Sequence, residues 1–345
     1  METRLSDSGY QWIVGYLSIL FVFGLVANST VLLVFAFSKS LQNTTDVLLI
    51  SLSISDWLQA VLGKPVVIYG NVVGWWNADR ALCVFYGLST AALGFVSLLH
   101  LAALAFQRWL AITKPMTYKT ICDKRIYPLV GTLWAWGMLW AVFPVLGWSG
   151  YELEPGETGC AITWNDQSTT NKSYIFIIFG IFFLLPITLV IGCYAWVAKL
   201  ARNMSTDALA RWGRDAAASQ ATLRSEKENA WTSFVMFLGF LIAWLPYAIV
   251  SLYSAITGER VSPEAATIPG MLAKSASCYN PLIYVFLYSR FRRALSKLTR
   301  RGLVQPVDLT FHRTANATIR SVHNTTTTSS RTVTSTKHSL EVIKA

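Results

Sequence analysis

Long apolar stretches and short polar segments alternate along most of the chain, up to about residue 300. Four stretches contain no Asp, Glu, Lys or Arg, and a fifth carries only His100 beside neutral residues. Two more are interrupted by charge, one by Asp56 and Lys64 and the other by Lys274. Each is long enough to cross a bilayer as a helix, which takes about 20 residues. The pattern predicts seven transmembrane helices, over Tyr10–Ser38, Val47–Gly74, Ala81–Gln107, Tyr127–Tyr151, Tyr174–Ala198, Ala230–Gly258 and Ala265–Ser289.

Composition and charge fix the class and the orientation. The chain of 345 residues is 53% hydrophobic and only 14% charged, which excludes an ordinary soluble domain. Most of its 29 lysines and arginines lie on one side of the predicted membrane, the side that faces the cytoplasm in such proteins. We therefore expect a multi-pass protein of the cell membrane, with residues 1–9 extracellular, helices over 10–289 and a cytoplasmic C-terminus. The net charge of +11 follows from this topology, so we expect no nucleic-acid partner.

The outer segments carry two features of an oxidising, glycosylating compartment. Cys83 begins the third helix and Cys160 lies in the second outer loop, which makes them candidates for a disulfide. Asn171 stands in an Asn-Lys-Ser sequon on the same side, where we expect a glycan.

The chain after the seventh helix divides in two. Residues 290–301 place Phe291, Ala294, Leu295 and Leu298 on one face at helical spacing, with basic residues opposite. This is typical of a short amphipathic helix on the lipid of the inner membrane surface. Residues 302–345 are rich in Ser and Thr and poor in large apolar residues, so we expect a disordered cytoplasmic tail.

Lys274 is a charged residue near the middle of the seventh predicted helix, where charge costs several kcal/mol unless it is neutralised. A partner carboxylate is one neutraliser. Another is chemistry, because an amine in an apolar pocket loses its proton and can form a Schiff base with an aldehyde. The simpler alternative is a lysine that snorkels to the surface or lines a wet cavity. No phosphate-binding loop, metal-ligand spacing or catalytic-triad pattern accompanies it, so we predict no conventional enzyme.

The polar residues within the predicted helices resemble the rhodopsin-like G-protein-coupled receptors, in order and as far as about residue 300. The matching residues are Asn28, Asp56, Trp76, Cys83, Trp134, Pro186, Tyr194, Trp244, Pro246, Tyr247, Asn280, Pro281 and Tyr284. Proline-broken helices and buried polar groups suit a packing that switches between two states. The resemblance implies a seven-transmembrane helix bundle whose switch residues include Asp56, Tyr194, Asn280, Pro281 and Tyr284.

Within that family, Lys274 six residues before Asn280 resembles the retinal attachment lysine of opsins. Runs such as Val-Leu-Gly-Lys64-Pro65 and Glu-Pro-Gly-Glu-Thr-Gly-Cys160 are similar to the branch of neuropsins, peropsins and retinal photoisomerases. The resemblance implies retinal, as the 11-cis or all-trans isomer, bound through a Schiff base to Lys274. The implied pocket consists of Gly94, Phe95, Phe183, Phe240, Trp244, Tyr247 and Ala273.

A protonated Schiff base in a membrane needs an anion. Tyr86 occupies the place where vertebrate visual opsins carry their counterion, and a neutral tyrosine supplies no charge. Glu154, six residues before Cys160, matches the glutamate position in the second outer loop of bistable opsins. Glu152 and Glu157 remain alternatives if the loop folds differently.

Lys64 lies about two turns beyond Asp56, near the outer end of the second helix. It either snorkels outward to headgroups or points inward, where its charge opposes protonation of the Schiff base. In the second case we expect Glu154 to be shared between Lys64 and the Schiff base, and a dark pigment that absorbs in the ultraviolet.

The third helix departs from the family at its inner end. The acid-Arg-Tyr triplet reads Gln107-Arg108-Trp109, so the carboxylate beside Arg108 is lost, and Glu226 remains as another partner for Arg108. Two functions follow. One is a light-activated receptor for a heterotrimeric G protein, with a tail for receptor kinase and arrestin. The other is a retinal photoisomerase with little or no signalling. A receptor for a diffusible ligand leaves Lys274 unexplained.

Overall fold

Helices dominate the structure, a computed structural model that describes residues 4–74, 79–211 and 215–300, with the side chains of 45, 123, 200–224 and 226 left out. The helices are α1 (Asp7–Phe37), α2 (Val47–Leu58), α3 (Lys64–Val73), α4 (Arg80–Thr113), α5 (Pro115–Val142), α6 (Thr169–Phe179), α7 (Leu185–Arg211), α8 (Asp215–Thr257), α9 (Pro263–Ser275), α10 (Tyr279–Leu287) and α11 (Ser289–Arg300). Five of the helical segments are long and apolar enough to cross a membrane by length and composition. These five, together with α5 and the segment formed by α9 and α10, make a bundle of seven helical segments, as predicted.

Three of the seven segments are not regular helices. A π-helix over Gln59–Gly63 joins α2 to α3, another over Gly180–Leu184 joins α6 to α7, and a 3-10 turn over Ala276–Cys278 joins α9 to α10. A proline follows each distortion closely, as Pro65, Pro186 and Pro281. Proline has no backbone N–H, so a carbonyl four residues earlier loses its helical partner. These distortions turn side chains onto new faces of the bundle.

The carbonyl that Pro281 leaves free belongs to Ser277, four residues earlier. The side-chain amide of Asn28 donates to this oxygen at 3.1 Å and to the Gly24 carbonyl at 2.9 Å. Asn28 is fully buried in α1. It satisfies a polar backbone atom in a region where an unpaired one is costly, and thereby ties the first helix to the kink of the seventh.

The outer end of the fourth helix differs from the prediction. α5 ends at Val142, and the chain then turns through residues 143–150 into a strand, β1 (Tyr151–Leu153). β1 pairs antiparallel with β2 (Cys160–Ile162), with Leu153 opposite Cys160. The predicted Cys83–Cys160 disulfide is confirmed and fastens β2 to the first turn of α4. This short hairpin, fixed at one end, covers the outer mouth of the bundle.

At the inner end, α11 turns its apolar face toward the bundle. Phe291, Ala294 and Leu298 are buried, and the Phe291 ring lies against Phe35 and Tyr284. The apolar face predicted for lipid contact therefore packs largely on the protein.

The prediction of a glycan on Asn171 is wrong for the folded structure. Asn171 is 1% exposed, and its Nδ2 donates to the carbonyls of Thr163 and Asp166. Its Oδ1 accepts from Ser149. A sequon identifies an acceptor by sequence alone. Here the amide is buried and links α6 to the residues that flank the hairpin through hydrogen bonds. Three other predictions, for Trp76, the Glu226 side chain and the tail over 302–345, lie outside the described residues.

Candidate functional site

The amine of Lys274 and the carboxylate of Glu154 form an ion pair inside the bundle, with 3.1 Å between Nζ and Oε2. Lys274 is in the last turn of α9, and Glu154 follows directly after β1. Their side chains are 16% and 9% exposed. The other carboxylate oxygen, Oε1, accepts from the hydroxyl of Tyr247 on α8 at 2.9 Å. The buried lysine thus has a partner carboxylate, and its side chain does not snorkel to the surface.

The other two glutamates of the hairpin lie elsewhere. Glu157 pairs with Arg4, at 2.9 Å. Glu152 faces Asn165. The side-chain nitrogen of Asn165 donates to Glu152 at 2.8 Å, and its side-chain oxygen accepts from Arg260 at 2.9 Å. Burial raises the pKa of the Glu152 carboxyl, and the charge of Arg260 opposes that rise. The fold therefore brings Glu154, and neither of its neighbours, to Lys274.

Two glycines leave room around the amine. A Cβ at Gly270 would lie 3.6 Å from Lys274 Nζ, and one at Gly159 would lie 3.7 Å from it and 3.1 Å from Glu154 Oε2. Larger residues at these positions would occupy the volume next to Nζ.

Lys274 lines an apolar cavity between the helices, which we call the bundle cavity. Five residues predicted for a retinal pocket line it, namely Phe95, Phe183, Trp244, Tyr247 and Ala273. Further lining comes from aromatic and small residues such as Phe179, Phe182, Ala91 and Gly87. Apolar walls and an amine of the type that condenses with an aldehyde therefore face the same cavity. The donor set contains no cluster that would hold a metal within the described residues.

Two predicted pocket residues stand behind the wall. Phe240 stacks on Trp244 with 5.6 Å between ring centroids. A Cβ at Gly94 would lie 3.4 Å from Trp244 Cζ2. Neither lines the cavity, because Trp244 fills the space between them and it. The prediction that they line the pocket is wrong, and both instead determine how Trp244 sits.

Lys64 points inward, as one of its two predicted orientations required. It is 5% exposed, lines the bundle cavity, and donates from Nζ to Ser277 Oγ at 3.0 Å. Among the described residues, no carboxylate forms an ion pair with Lys64. The expected sharing of Glu154 between Lys64 and Lys274 is therefore wrong. Tyr86, 3% exposed, also lines the cavity and interacts with the Lys274 amine.

A second group of buried polar residues surrounds Asp56. Asp56, 1% exposed, accepts from Asn280 Nδ2 at 2.7 Å and from Ser97 at 3.3 Å. Tyr284 is fully buried between Phe35 and Phe291, below Pro281. Asp56 and Asn280 are thus hydrogen-bonded to each other, and Tyr284 packs against aromatic rings.

Arg108 is buried at the inner end of α4, at 3% exposure. Its Nη2 donates to the side-chain oxygen of Gln107 at 3.1 Å, and Gln107 Nε2 donates to the Cys122 sulfur at 3.8 Å. The neutral amide thus holds the arginine where the family has a carboxylate. Tyr194 packs its ring edge-on against Phe234, with 5.0 Å between centroids.

Comparison with known proteins accounts for this arrangement. The family model described as "7 transmembrane receptor (rhodopsin family)" matches residues 27–284. The chain belongs to this family. It is 31% identical to pinopsin of Gallus gallus over 79% of this chain and 76% of that protein. It is 30% identical to the visual pigment-like receptor peropsin of Mus musculus, over 84% and 85%.

The fold agrees with the same family. A crystal structure of squid rhodopsin superposes with a TM-score of 0.78 at 27% identity, covering 87% of this chain and 88% of that one. The protein is an opsin, a light-sensing member of the rhodopsin-like G-protein-coupled receptors, and a multi-pass membrane protein. Retinal is the chromophore of opsins in general.

Several residues of the site in this opsin were not predicted from the sequence. Trp164 donates to Tyr247 at 3.1 Å, and Tyr10 and Asn71 donate to the backbone of the turn after Glu154, at Gly156 and Thr158. None belongs to a recognisable motif. The sequence offered only an indirect indication: a turn next to the candidate counterion needs hydrogen-bond partners from other segments to stay in place.

Proposed function

We propose that retinal is bound through a Schiff base to Lys274, with Glu154 as its counterion. The observation that carries the proposal is the contact of 3.1 Å between Lys274 Nζ and Glu154 Oε2 in the wall of an apolar cavity. Retinal supplies the light-absorbing polyene and its photoisomerisation. The chain supplies a buried amine, an anion that balances positive charge on it, and aromatic walls that restrict the ligand's shape.

The same geometry assigns roles to the neighbours. Tyr247 donates to Glu154 and so fixes one carboxylate oxygen, which leaves the other directed at Lys274. Trp244 presses on the cavity from α8, the helix that runs to the inner surface. A change of ligand shape would therefore displace Trp244 and with it α8, the helix whose movement exposes the inner face.

For the output we propose G-protein activation at the cell membrane, with the N-terminus extracellular and the tail open to receptor kinase and arrestin. Buried Arg108 supports a resting state in which the G-protein contact is withheld. The Asp56–Asn280 hydrogen bond, which joins the second and seventh helical segments, supports a coupled movement of these segments between ligand and inner face. The photoisomerase alternative rests on the altered Gln107-Arg108-Trp109 triplet, and the retained Arg108–Gln107 hydrogen bond weakens that argument.

The test uses the full chain, reconstituted with 11-cis and with all-trans retinal. We expect a pigment band that Lys274→Ala abolishes, while Lys172→Ala at the outer end of α6 leaves it intact. A band that persists without Lys274 would refute the attachment.

Light should then accelerate guanine nucleotide exchange on a heterotrimeric G protein, and Arg108→Ala should abolish this acceleration while keeping the band. Efficient photoisomerisation with no exchange on any G-protein class would favour the photoisomerase instead. Chromatography of the extracted retinal isomers measures the first property independently of the second.

A further inference from the structure

Two cavities meet at the candidate counterion. The second, which we call the outer cavity, is lined by the β1–β2 hairpin and by the outer ends of the sixth and seventh helical segments. Its charged lining residues include Arg80 and Arg260, both exposed, so it opens to the extracellular side. Five residues line both cavities and form a shared wall, namely Glu154, Ile162, Trp164, Tyr247 and Ser251.

Trp164 is the largest member of the shared wall. It lies two residues after β2, the strand that the disulfide fastens to α4. Its ring meets Tyr247 edge-on with 6.1 Å between centroids, and meets Phe179 at the same separation. The indole therefore bridges from the hairpin to α6 and α8, across the boundary between the two cavities.

The hydrogen bonds across the wall have only one possible direction. An indole nitrogen donates and cannot accept. The Tyr247 hydroxyl therefore accepts from Trp164 Nε1, at 3.1 Å, and spends its own proton on Glu154 Oε1, at 2.9 Å. A tyrosine without this donor could rotate its proton elsewhere. The Glu154 carboxylate, which can only accept, gives that bond its direction, and Trp164 restrains the hydroxyl that donates it.

Exclusion of water matters at this wall, because an ion pair is stronger and a buried imine is better protected when solvent is kept away. We propose that Trp164 is a positioning residue that closes the outer cavity against the Lys274 amine and orients the Tyr247 hydroxyl toward Glu154. The inference rests on the proposed function of Lys274 and Glu154. It predicts that small polar solutes reach the amine through the outer cavity once Trp164 is reduced in size.

The first measurement is the dark bleaching rate of the pigment in hydroxylamine, a small neutral nucleophile. Trp164→Ala removes both the ring and the donor, and Trp164→Phe removes the donor but keeps a ring. We expect the rate to rise about tenfold or more in Trp164→Ala, the scale of one lost buried contact, and by less in Trp164→Phe. Trp148→Ala and Trp148→Phe are matched controls, because Trp148 donates to Ser173 in the same outer region and lines neither cavity.

The second measurement needs no chromophore. Reductive methylation of the retinal-free chain, followed by mass spectrometry, reports how readily reagent reaches the Lys274 amine. Methylation of Lys274 should accelerate in Trp164→Ala and stay at the wild-type rate in Trp148→Ala. Methylation of Lys172, at the outer end of α6, should be the same in all variants.

The outcomes separate this inference from the function beneath it. If Lys274→Ala keeps the pigment band, the proposed attachment of retinal to Lys274 is refuted. The methylation rates of Lys274 still test whether Trp164 separates the outer cavity from the amine, which we call the partition. If Trp164→Ala changes neither rate by more than about twofold relative to Trp148→Ala, too little for a lost contact, the partition is overturned. If Trp164→Ala yields no folded protein, the methylation and bleaching rates of Trp164→Phe decide, and rates equal to those of Trp148→Phe overturn the proposal.

Discussion

Lys64 Nζ donates to Ser277 Oγ at 3.0 Å, which places a second amine in the cavity that holds Lys274. The two lysines differ in their partners. Lys274 has a carboxylate at 3.1 Å, whereas Lys64 has a neutral hydroxyl. When protonated, Lys64 therefore acts on its surroundings without a contact anion among the described residues, in a region of low dielectric constant where such effects are large.

Replacing Lys64 with Thr should move the dark absorption toward the visible. The lysine charge opposes protonation of a Schiff base at Lys274, and an unprotonated Schiff base absorbs in the ultraviolet. We expect the visible fraction to increase in Lys64→Thr and to stay unchanged in Lys172→Thr, and absorption spectra of the dark pigments measure both. A wild-type band already in the visible and unmoved by Lys64→Thr would contradict this role.

Neutralising Glu154 should have the opposite effect. In the Lys64→Thr background, Glu154→Gln removes the anion beside Lys274 and should return the band toward the ultraviolet. Glu157→Gln is the matched control, because Glu157 pairs with Arg4 and not with Lys274. Equal shifts from the two substitutions would mean that loop charge in general, and no specific counterion, sets the colour.

A carboxylate at position 107 should lower activity in the dark. Arg108 already donates to the Gln107 side chain, and Gln107→Glu would turn this hydrogen bond into an ion pair, a bias of about 1 kcal/mol toward the resting state. Gln107→Met removes the acceptor and should raise dark activity. Nucleotide exchange on the G protein without light measures both, and a shift of the two variants in the same direction would refute the lock.

Breaking the cluster around Asp46 should destabilise the inner end. Asp46 is fully buried and accepts from Tyr288 at 2.8 Å and from both terminal nitrogens of Arg290 at 3.0 Å. Asp46→Ala should cost about 2 kcal/mol, less than for a fully buried pair because Arg290 stays partly exposed. Thermal unfolding in detergent measures the loss, with exposed Asp7→Ala as the control. If Asp46→Ala and Asp7→Ala unfold at the same temperature, α11 is not held by this cluster.

The sequence by itself determined the features that depend on local composition and spacing. Seven apolar stretches predict the bundle because crossing a membrane demands a fixed length of satisfied backbone. Lys274 stood out because charge at that depth is costly whatever surrounds it. The order of polar and proline residues was sufficient to indicate the rhodopsin-like receptors, and Lys274 before Asn280 to indicate the opsins. Two cysteines on the same side were sufficient for the disulfide.

The tertiary structure decided everything that depends on chain segments far apart in sequence. Three glutamates within six residues are alike as sequence, and only the hairpin register brings Glu154 to an amine 120 residues away. Asn171 has a valid sequon and is nevertheless buried, and Phe240 lies behind Trp244 instead of in the pocket. Period and composition report which face of a helix is apolar, but irregular turns at prolines rotate that face, and long-range packing determines which side chains meet.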